Sequence, residues 1–213
     1  MFTIKGLNFI IRETSTDKEI VNEVVESETY FRGKLTVKSG DIVIDIGAHI
    51  GSFSLLAASL GGKVYSYEPC KENFELLTKN IKLNNFSVDA HNVGVMGSSG
   101  KRTLYIESFN FGGTNFYNNS QLFSVSHTEE IDCITLEDIY KDEHLDHCDF
   151  LKLDCQGAEA EIIRYFPYLD TINKIGLEYD GLDNLKELKE ILSGFKIVDH
   201  VGKESGVLLL EKI

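Results

Sequence analysis

Five side chains that can bind a cation or exchange a proton stand where apolar runs of the sequence end. They are Asp45, Glu68, Asn92, Asp154 and Glu178. The short runs before them are typical of buried strands. In an open parallel sheet, ligands bind outside the carboxyl ends of the strands, so these side chains are expected to surround one ligand. The sequence therefore predicts a polar site made of four carboxylates and one amide.

The loop at residues 45–51, DIGAHIG, is the strongest local motif. Gly47 and Gly51 suit a sharp turn close to a ligand, and Glu68 is placed to hold two ribose hydroxyls. The spacing G-x-x-x-G lacks one glycine of the dinucleotide fingerprint G-x-G-x-x-G. Asp45 would repel a pyrophosphate but suits the ammonium and sulfonium charges of S-adenosylmethionine. A cationic cofactor is favoured, although close packing of a strand on a helix would also explain the glycines.

Asp154 and Glu178 are the candidate catalytic residues. Methyl transfer to oxygen is an in-line displacement, in which the acceptor hydroxyl must be aligned and must lose its proton. Asp154 is the candidate base, and capping of the next helix is its alternative role. Glu178 could bind a hydroxyl or share a divalent metal with Asp154. A third metal ligand cannot be placed, so a metal site is possible but not favoured.

Four other polar residues have competing interpretations. Lys152 falls within a buried run and needs a partner, for which Glu178 is a candidate. Glu159 is interpreted as a first-turn residue that the helix dipole stabilises. His49 and His200 either have catalytic roles or are ordinary loop and hairpin residues.

Around these residues, strands and helices alternate along the chain. The alternation predicts an α/β fold with a mostly parallel sheet and helices on both faces, and the last two strands predict a C-terminal antiparallel hairpin. The predicted strands lie at residues 41–46, 63–68, 88–95, 102–107, 149–154, 173–180, 195–201 and 206–211. The predicted helices lie at residues 52–60, 69–84, 136–145, 158–166 and 184–193.

The ends of this core have their own patterns. Residues 1–40 predict a hairpin around Gly6 and an amphipathic stretch capped by Asp17, which together cover the core as part of one domain over residues 1–213. Residues 108–130 are polar and without periodicity, so we interpret them as a lid. Both segments are candidate acceptor-binding loops. Aromatic side chains of a candidate substrate wall are Tyr30, Phe109, Phe111, Phe116 and Tyr117.

Composition limits the partners. The formal net charge of −13 disfavours nucleic acid as a substrate, because binding to nucleic acid depends on Lys and Arg that neutralise phosphates. No apolar run approaches the roughly 20 residues of a membrane helix, and a cytoplasmic protein is expected. The four cysteines form no C-x-x-C pair and are interpreted as free thiols. The oligomeric state stays open.

Three segments resemble the FkbM family of methyltransferases. They are VIDIGAHIGSFSLLAA, VYSYEPCKENFELLTKNIKLNN and FLKLDCQGAEAEII. The resemblance implies a Rossmann-like, seven-stranded class I methyltransferase fold and S-adenosylmethionine as the methyl donor. It also implies an oxygen acceptor on a sugar or another small molecule.

The resemblance assigns cofactor-binding roles by position. Asp45, Gly47, Ala48, His49 and Gly51 would hold the amino-acid end of S-adenosylmethionine. Glu68 would bind the ribose, with Pro69 beside it, and Asn92 and Val93 would lie near the adenine. Asp154 would face both the cofactor and the acceptor.

Two residues depart from the family pattern. The family usually has Asn at position 49 and Glu at position 156, where this chain has His49 and Gln156. The second departure motivates an alternative, a non-catalytic member that binds the cofactor without turnover. A nucleotide-dependent oxidoreductase is the other alternative.

Overall fold

The computed structural model describes residues 1–107, 111–117 and 125–213 of the chain. Its strands are β1 (Phe2–Ile4), β2 (Leu7–Phe9), β3 (Ile42–Ile46), β4 (Lys63–Tyr67), β5 (Val88–His91), β6 (Gly94–Val95), β7 (Gly100–Glu107), β8 (Val125–Ile134), β9 (Phe150–Leu153), β10 (Lys174–Asp180), β11 (Phe195–Gly202) and β12 (Ser205–Lys212). Its α-helices are α1 (Asp17–Val21), α2 (Ser52–Ser59), α3 (Lys71–Asn84), α4 (Leu136–Asp142), α5 (Glu159–Arg164) and α6 (Leu182–Ile191). A π-helical turn at Asn22–Glu26 continues α1, and 3-10 turns lie at Phe111–Gly113 and Leu169–Thr171.

The central sheet has seven strands in the order β11-β12-β10-β9-β3-β4-β5. Strands β5, β4, β3, β9 and β10 pair in parallel, whereas β12 is antiparallel to both of its neighbours. The predicted mostly parallel sheet and C-terminal hairpin are thus confirmed. Because β3 is flanked by β4 on one side and β9 on the other, the strand order reverses direction at β3, which is where open α/β sheets bind ligands.

Apolar residues cover both faces of this sheet. Within β3, Ile44 and Ile46 pack on the face covered by α4, α5 and α6, while Val43 packs on the face covered by α1, α2 and α3. All four side chains of β9 are buried, as are four of the five of β3. Burial on both faces explains why these strands read as continuous apolar runs in the sequence.

A smaller sheet of three strands, in the order β6-β8-β7, corrects two of our predictions. The strand expected over residues 88–95 is two strands in different sheets, because Gly94 and Val95 pair with β8 and not with β4. Residues 125–130, expected in a lid, belong to β8, whose side chains alternate between the small sheet's two faces. Residues 108–110 and 118–124 of the expected lid lie outside the described residues.

The N-terminal segment covers the face of the sheet that carries α2 and α3. The predicted hairpin is formed by β1 and β2. Asp17 does not cap the following helix; it is the first residue of α1, and its side chain is fully buried. Its carboxylate binds Arg12, so a buried ion pair explains this residue better than capping.

Candidate active site

The glycine loop between β3 and α2 approaches the end of β9 very closely. Gly47 has a φ of +75°, and a Cβ at this position would lie 1.8 Å from the carbonyl oxygen of Asp154. Gly51 has a φ of +96°, and a Cβ there would lie 2.7 Å from the Leu77 side chain. At Gly47 a larger residue would collide with the backbone of Asp154, and at Gly51 the positive φ favours glycine.

His49 occupies this loop in the left-handed region, with a φ of +52°. His and Asn are among the residues that adopt this conformation most readily, so His49 can replace Asn without changing the loop. Its Nε2 lies 3.3 Å from Asp17 Oδ1 and 3.2 Å from the Arg12 guanidinium. Burial opposes the charge of Asp17, but its bonds to His49 and Arg12 outweigh it and lower the pKa of Asp17. The pairing ties the N-terminal segment to the glycine loop.

Glu68 follows β4 and holds the two sides of the site together. Its Oε2 accepts a hydrogen bond from the His49 backbone N–H at 2.8 Å, and Oε1 accepts from Cys70 N–H at 2.9 Å and from Asn73 Nδ2 at 3.2 Å. Burial raises the pKa of Glu68. A carboxylate has about four acceptor positions, so one is left for a ligand in the cavity that Glu68 lines.

Asp45 points into the protein and not toward the cavity. Its Oδ2 accepts a hydrogen bond from Ser54 at 2.5 Å, and Oδ1 lies 3.1 Å from Lys152 Nζ. Lys152 also donates to the Gly47 carbonyl at 2.6 Å. Burial opposes the charge of Lys152, but Asp45 and Asp154 outweigh it and raise the pKa of Lys152. The partner expected for Lys152 was Glu178; the structure gives it Asp45 instead.

Asp154 lies at the centre of a hydrogen-bonded group at the ends of β9 and β10. Its Oδ2 accepts from the Tyr30 hydroxyl at 3.0 Å, and Oδ1 accepts from Gln156 Nε2 at 3.1 Å. The same Gln156 nitrogen donates to Glu178 Oε2 at 3.1 Å. Asp154 does not cap α5, whose N-cap is Ala158 without a side-chain hydrogen bond. The capping alternative is therefore wrong.

The pKa values of the two acids of this group are shifted in opposite directions. Burial alone would raise the pKa of Asp154, but Lys152, with the hydrogen bonds from its neighbours, lowers it. The charge of Asp154, together with burial, raises the pKa of Glu178. The lowered pKa of Asp154 suits it for accepting a proton, and the raised pKa of Glu178 suits it for donating a hydrogen bond.

A cavity of about 260 Å³ brings most of these groups together. Its lining from the predicted site consists of Gly47, His49, Glu68, Pro69, Asp154 and Glu178. The N-terminal segment adds Ile20, Glu23, Val24, Thr29 and Tyr30, and the other walls include Tyr67, Val95, Thr114, Phe116, Cys155 and Gln156. No Lys or Arg is among the described residues that line it, and carboxylates on several sides suit a cationic ligand.

Five residues of the predicted cofactor site lie outside the cavity lining: Asp45, Ala48, Gly51, Asn92 and Val93. Ala48 is buried, and the exposed Asn92 side chain donates to the backbone carbonyls of Glu68 and Pro69 at 2.8 and 2.9 Å. Val93 packs against the core and does not line the cavity either. Asn92 thus secures the turn that carries Glu68, which is a supporting contact.

Glu159 has a structural role, as the sequence suggested. It lies in the first turn of α5 and also holds the preceding loop by hydrogen bonds. Its carboxylate accepts from the backbone N–H of Cys155 at 2.7 Å and of Gly157 at 3.0 Å. Burial raises the pKa of Glu159 to about 7. His200 lies on β11 and contacts the Tyr179 hydroxyl at 2.8 Å, and it does not line the cavity.

The expected aromatic wall is only partly formed by the described residues. Tyr30 and Phe116 line the cavity, while the Tyr117 hydroxyl donates to Glu161 at 3.2 Å and Tyr117 does not line it. Phe109 and the Phe111 side chain lie outside the described residues. Tyr30 was expected to offer a packing surface, but its hydroxyl also donates a hydrogen bond to Asp154. The sequence could not predict this contact, because no local pattern links two positions so far apart in the chain.

Two groups of side chains among the described residues are close enough together to bind a metal ion, and neither group includes Asp154 or Glu178. They are Glu72 with His127 and Glu129, and Asp89 with His91 and Glu143. Both lie outside the cavity lining. The four cysteines are free thiols, as predicted.

The seven-stranded, mostly parallel sheet with its antiparallel C-terminal hairpin is the fold of Rossmann-like class I methyltransferases. Residues 45–181 match the family described as the methyltransferase FkbM domain, and the chain belongs to that family. The predicted family and fold are thus confirmed, and the oxidoreductase alternative is set aside. No curated protein sequence matches the chain.

Solved structures share this fold at low sequence identity. A methyltransferase FkbM from Methylobacillus flagellatus KT aligns with a TM-score of 0.57 and 18% identity, over 87% of this chain and 47% of that one. A precorrin-6y C5,15-methyltransferase from Geobacter metallireducens GS-15 gives a TM-score of 0.51 and 14% identity, over 95% and 92%. The tRNA (uracil-54, C5)-methyltransferase of Pyrococcus abyssi, in complex with S-adenosyl-L-homocysteine, gives 0.54 and 11%, over 99% and 43%. The chain thus spans about half the length of the Methylobacillus protein.

Among the described residues, no helix has the length and apolar character needed to cross a membrane.

Proposed function

We propose that this chain transfers a methyl group from S-adenosylmethionine to a hydroxyl of a small acceptor. The observation that carries the proposal is that Asp154, held by Tyr30 and Gln156, faces the same cavity as Gly47 and Glu68. A methyltransferase needs a proton acceptor beside its cofactor only if the acceptor atom must lose a proton, as a hydroxyl must.

The residues of the cavity fit S-adenosylmethionine. The missing Cβ of Gly47 leaves the loop against the end of β9, and Glu68 keeps one acceptor position for a ribose hydroxyl. Pro69 and His49 line the cavity next to Glu68. When bound, the cofactor supplies an electrophilic methyl group on a sulfonium, and a lining that includes Glu23, Glu68 and Asp154 but no Lys or Arg among the described residues favours that positive charge. The P. abyssi structure with bound S-adenosyl-L-homocysteine supports this choice of cofactor.

In the proposed reaction, Asp154 would accept the proton of the acceptor hydroxyl, whose oxygen would take the methyl group; the methyl–sulfur bond of the sulfonium would break and leave S-adenosylhomocysteine. Tyr30 and Gln156 hold its carboxylate in place from opposite oxygens. Glu178, whose pKa is raised by the charge of Asp154 and by burial, donates a hydrogen bond that orients the acceptor. Asp45 does not contact the cofactor in this proposal; it keeps Lys152 charged beneath the glycine loop.

Calorimetry with S-adenosylmethionine, followed by measurement of S-adenosylhomocysteine released in the presence of hydroxylated acceptors, tests the proposal. We expect binding, and release that depends on the acceptor. Failure to bind S-adenosylmethionine would overturn the cofactor assignment. Binding without release across hydroxyl, amine and carbon acceptors would instead favour the non-catalytic alternative.

A further inference from the structure

The edge strand β5 and the end of α4 bring one histidine and two carboxylates together: His91, Asp89 and Glu143. Asp89 and His91 are two positions apart on β5, so their side chains point to the same face of the sheet. Glu143 follows the last residue of α4, which packs on that face. The group lies outside the cavity lining, so the proposed reaction does not account for it.

The spacing of the three side chains fits a small metal ion. His91 Nε2 lies 3.3 Å from Asp89 Oδ1 and 3.4 Å from Glu143 Oε1, and all three atoms are within 4.8 Å of one another. A tetrahedral Zn²⁺ ion has ligand bonds of about 2.0–2.2 Å, which places neighbouring ligand atoms roughly 3.3–3.6 Å apart. Both distances from Nε2 fall in that range, so an ion between the three atoms would need only small side-chain movements.

The His91 Nε2 atom is shielded from solvent and has no hydrogen-bond partner among the described residues. A buried nitrogen without a partner is unfavourable and calls for an explanation. The ring is held in place by stacking on Tyr67, with the ring centroids 4.9 Å apart and 8° between the planes. Asp89 and Glu143 are near Nε2, yet neither accepts a hydrogen bond from it. A metal ion would bind Nε2 and both carboxylates at once.

The charges around this group favour a cation. Asp142 is the last residue of α4 and Glu143 follows it, so two carboxylates stand at the end where the helix dipole is negative. Lys63 interacts with the charges of Asp89 and Glu143, but its ammonium lies over an aromatic ring and forms no ion pair with either. A divalent cation would offset the charge of the carboxylates.

The other group of possible metal ligands, Glu72 with His127 and Glu129, lacks these features. His127 is exposed, and its Nε2 lies 3.6 Å from Glu129. Its Nδ1 contacts Ser126, so no buried nitrogen is left without a partner. His127 therefore serves as the control position.

We propose that Asp89, His91 and Glu143 bind a divalent transition-metal ion of the zinc type, with water as the fourth ligand. The imidazole favours Zn²⁺ over Mg²⁺, which prefers oxygen ligands in an octahedron. The site is structural and independent of the proposed reaction. Because the His91 carbonyl accepts a hydrogen bond from the Glu68 N–H at 3.1 Å, the ion would also fix the strand that supports Glu68.

Calorimetry with ZnCl₂ on the full chain, after metals have been removed with EDTA, tests the inference, with MgCl₂ as the second probe. We expect one Zn²⁺ per chain with a dissociation constant in the micromolar range, a higher melting temperature with Zn²⁺, and much weaker Mg²⁺ binding. Co²⁺ in place of Zn²⁺ should give the intense visible absorption of a tetrahedral ion.

His91→Gln and Glu143→Gln should each weaken Zn²⁺ binding at least about tenfold, since even an outer partner of a metal ligand contributes that much. His127→Gln should leave the affinity unchanged. Glu143→Gln keeps the size of its side chain, so it provides the test if His91→Gln does not fold.

Zn²⁺ binding that neither variant weakens would place the ion elsewhere and overturn the proposal. Mg²⁺ binding as tight as that of Zn²⁺ would also overturn it, because it would indicate a general attraction to carboxylates. If Zn²⁺ does not bind at millimolar concentration, the proposal fails, and His91 is then a protonated partner of the two carboxylates.

Discussion

The hydroxyl of Tyr30 donates to Asp154 Oδ2 across 3.0 Å, and so joins the N-terminal segment to a strand end 124 positions later in the chain. Tyr30 is buried, with 4% of its surface exposed, and burial together with the charge of Asp154 raises the pKa of Tyr30. The hydroxyl therefore stays protonated and acts as a donor. This bond favours the ionised form of Asp154.

Tyr30→Phe should move the acidic limb of the pH–rate profile to higher pH. Without the Tyr30 hydrogen bond the pKa of Asp154 rises, so a higher pH is needed to ionise the proposed base. The rate on the plateau should stay within about threefold of the parent, since the carboxylate itself remains. Measurement of kcat from acidic to neutral pH checks this, with Tyr165→Phe, an exposed tyrosine, as the control. An unshifted limb would mean that Tyr30 serves packing alone.

Asp154→Asn should lower the rate of methyl transfer by about 10²–10⁴-fold, the usual contribution of a general base. Cofactor affinity should change little, because the Asn side chain can still accept from Tyr30. Single-turnover rates and calorimetry measure the two effects separately. Asp183→Asn, at an exposed residue of α6 that does not line the cavity, is the control. A rate within about threefold of the parent would remove Asp154 from the catalytic role, since loss of a base costs far more.

Glu68→Ala should weaken S-adenosylmethionine binding by about 1.5–3 kcal/mol, because a charged hydrogen-bond acceptor is lost. Glu68 also anchors the backbone of His49 and Cys70, so the melting temperature must be measured beside the dissociation constant. Glu68→Gln retains the size of the side chain and separates the two effects. Glu75→Ala, on the exposed face of α3, is the control. Unchanged affinity in a folded variant would limit Glu68 to a structural role.

Lys152→Met should destabilise the fold by about 3–5 kcal/mol, because it leaves the Asp45 charge buried without its partner. Chemical denaturation measures the loss. The double variant Lys152→Met/Asp45→Asn removes both charges and should recover much of it. Lys101→Met breaks an exposed pair with Glu130 and should cost at most about 1 kcal/mol. Equal losses in the single and double variants would contradict the ion-pair explanation.

Glu159 should make stability depend on pH. Its pKa in the folded protein, about 7, lies above the ordinary value of 4.5. The folded state therefore holds this proton more tightly than the unfolded chain. The stability that this proton contributes in acid is lost as the pH rises from about 4.5, the ordinary pKa, through about 7, the pKa in the folded protein. The difference in melting temperature between the parent and Glu159→Gln should thus decrease between about pH 5 and about pH 8. A difference that stays constant would show that Glu159 is ionised throughout.

The sequence was sufficient to predict the strands of the central sheet, since β3, β9 and β10 are apolar runs that end in polar residues. It could not separate Val88–His91 from Gly94–Val95, because the choice of pairing partner depends on β8, which follows some thirty residues later. The irregular composition of residues 108–130 likewise concealed the first half of β8, whose alternation is carried by charged and polar side chains.

In the site, the sequence predicted which residues stand at the strand ends but not where their side chains point. Asp45 and Asp154 follow similar apolar runs, yet the first is fully buried against Lys152 and the second faces the cavity. The two apolar runs do not differ in a way that reveals this, because the side-chain direction at a strand end depends on the adjoining strand. The Tyr30 contact was missed for the same reason: it requires the complete fold.

The order of the strands also bears on how this protein could acquire new acceptors. The groups proposed to hold the cofactor follow β3 and β4, whereas Asp154 and Glu178, proposed to act on the acceptor, follow β9 and belong to β10 on the other side of the reversal. Substitutions in the last quarter of the chain can therefore alter selectivity while the glycine loop keeps its sequence. A library directed at the residues around Glu178 would leave the proposed cofactor site intact, and it would be an economical starting point for redesign.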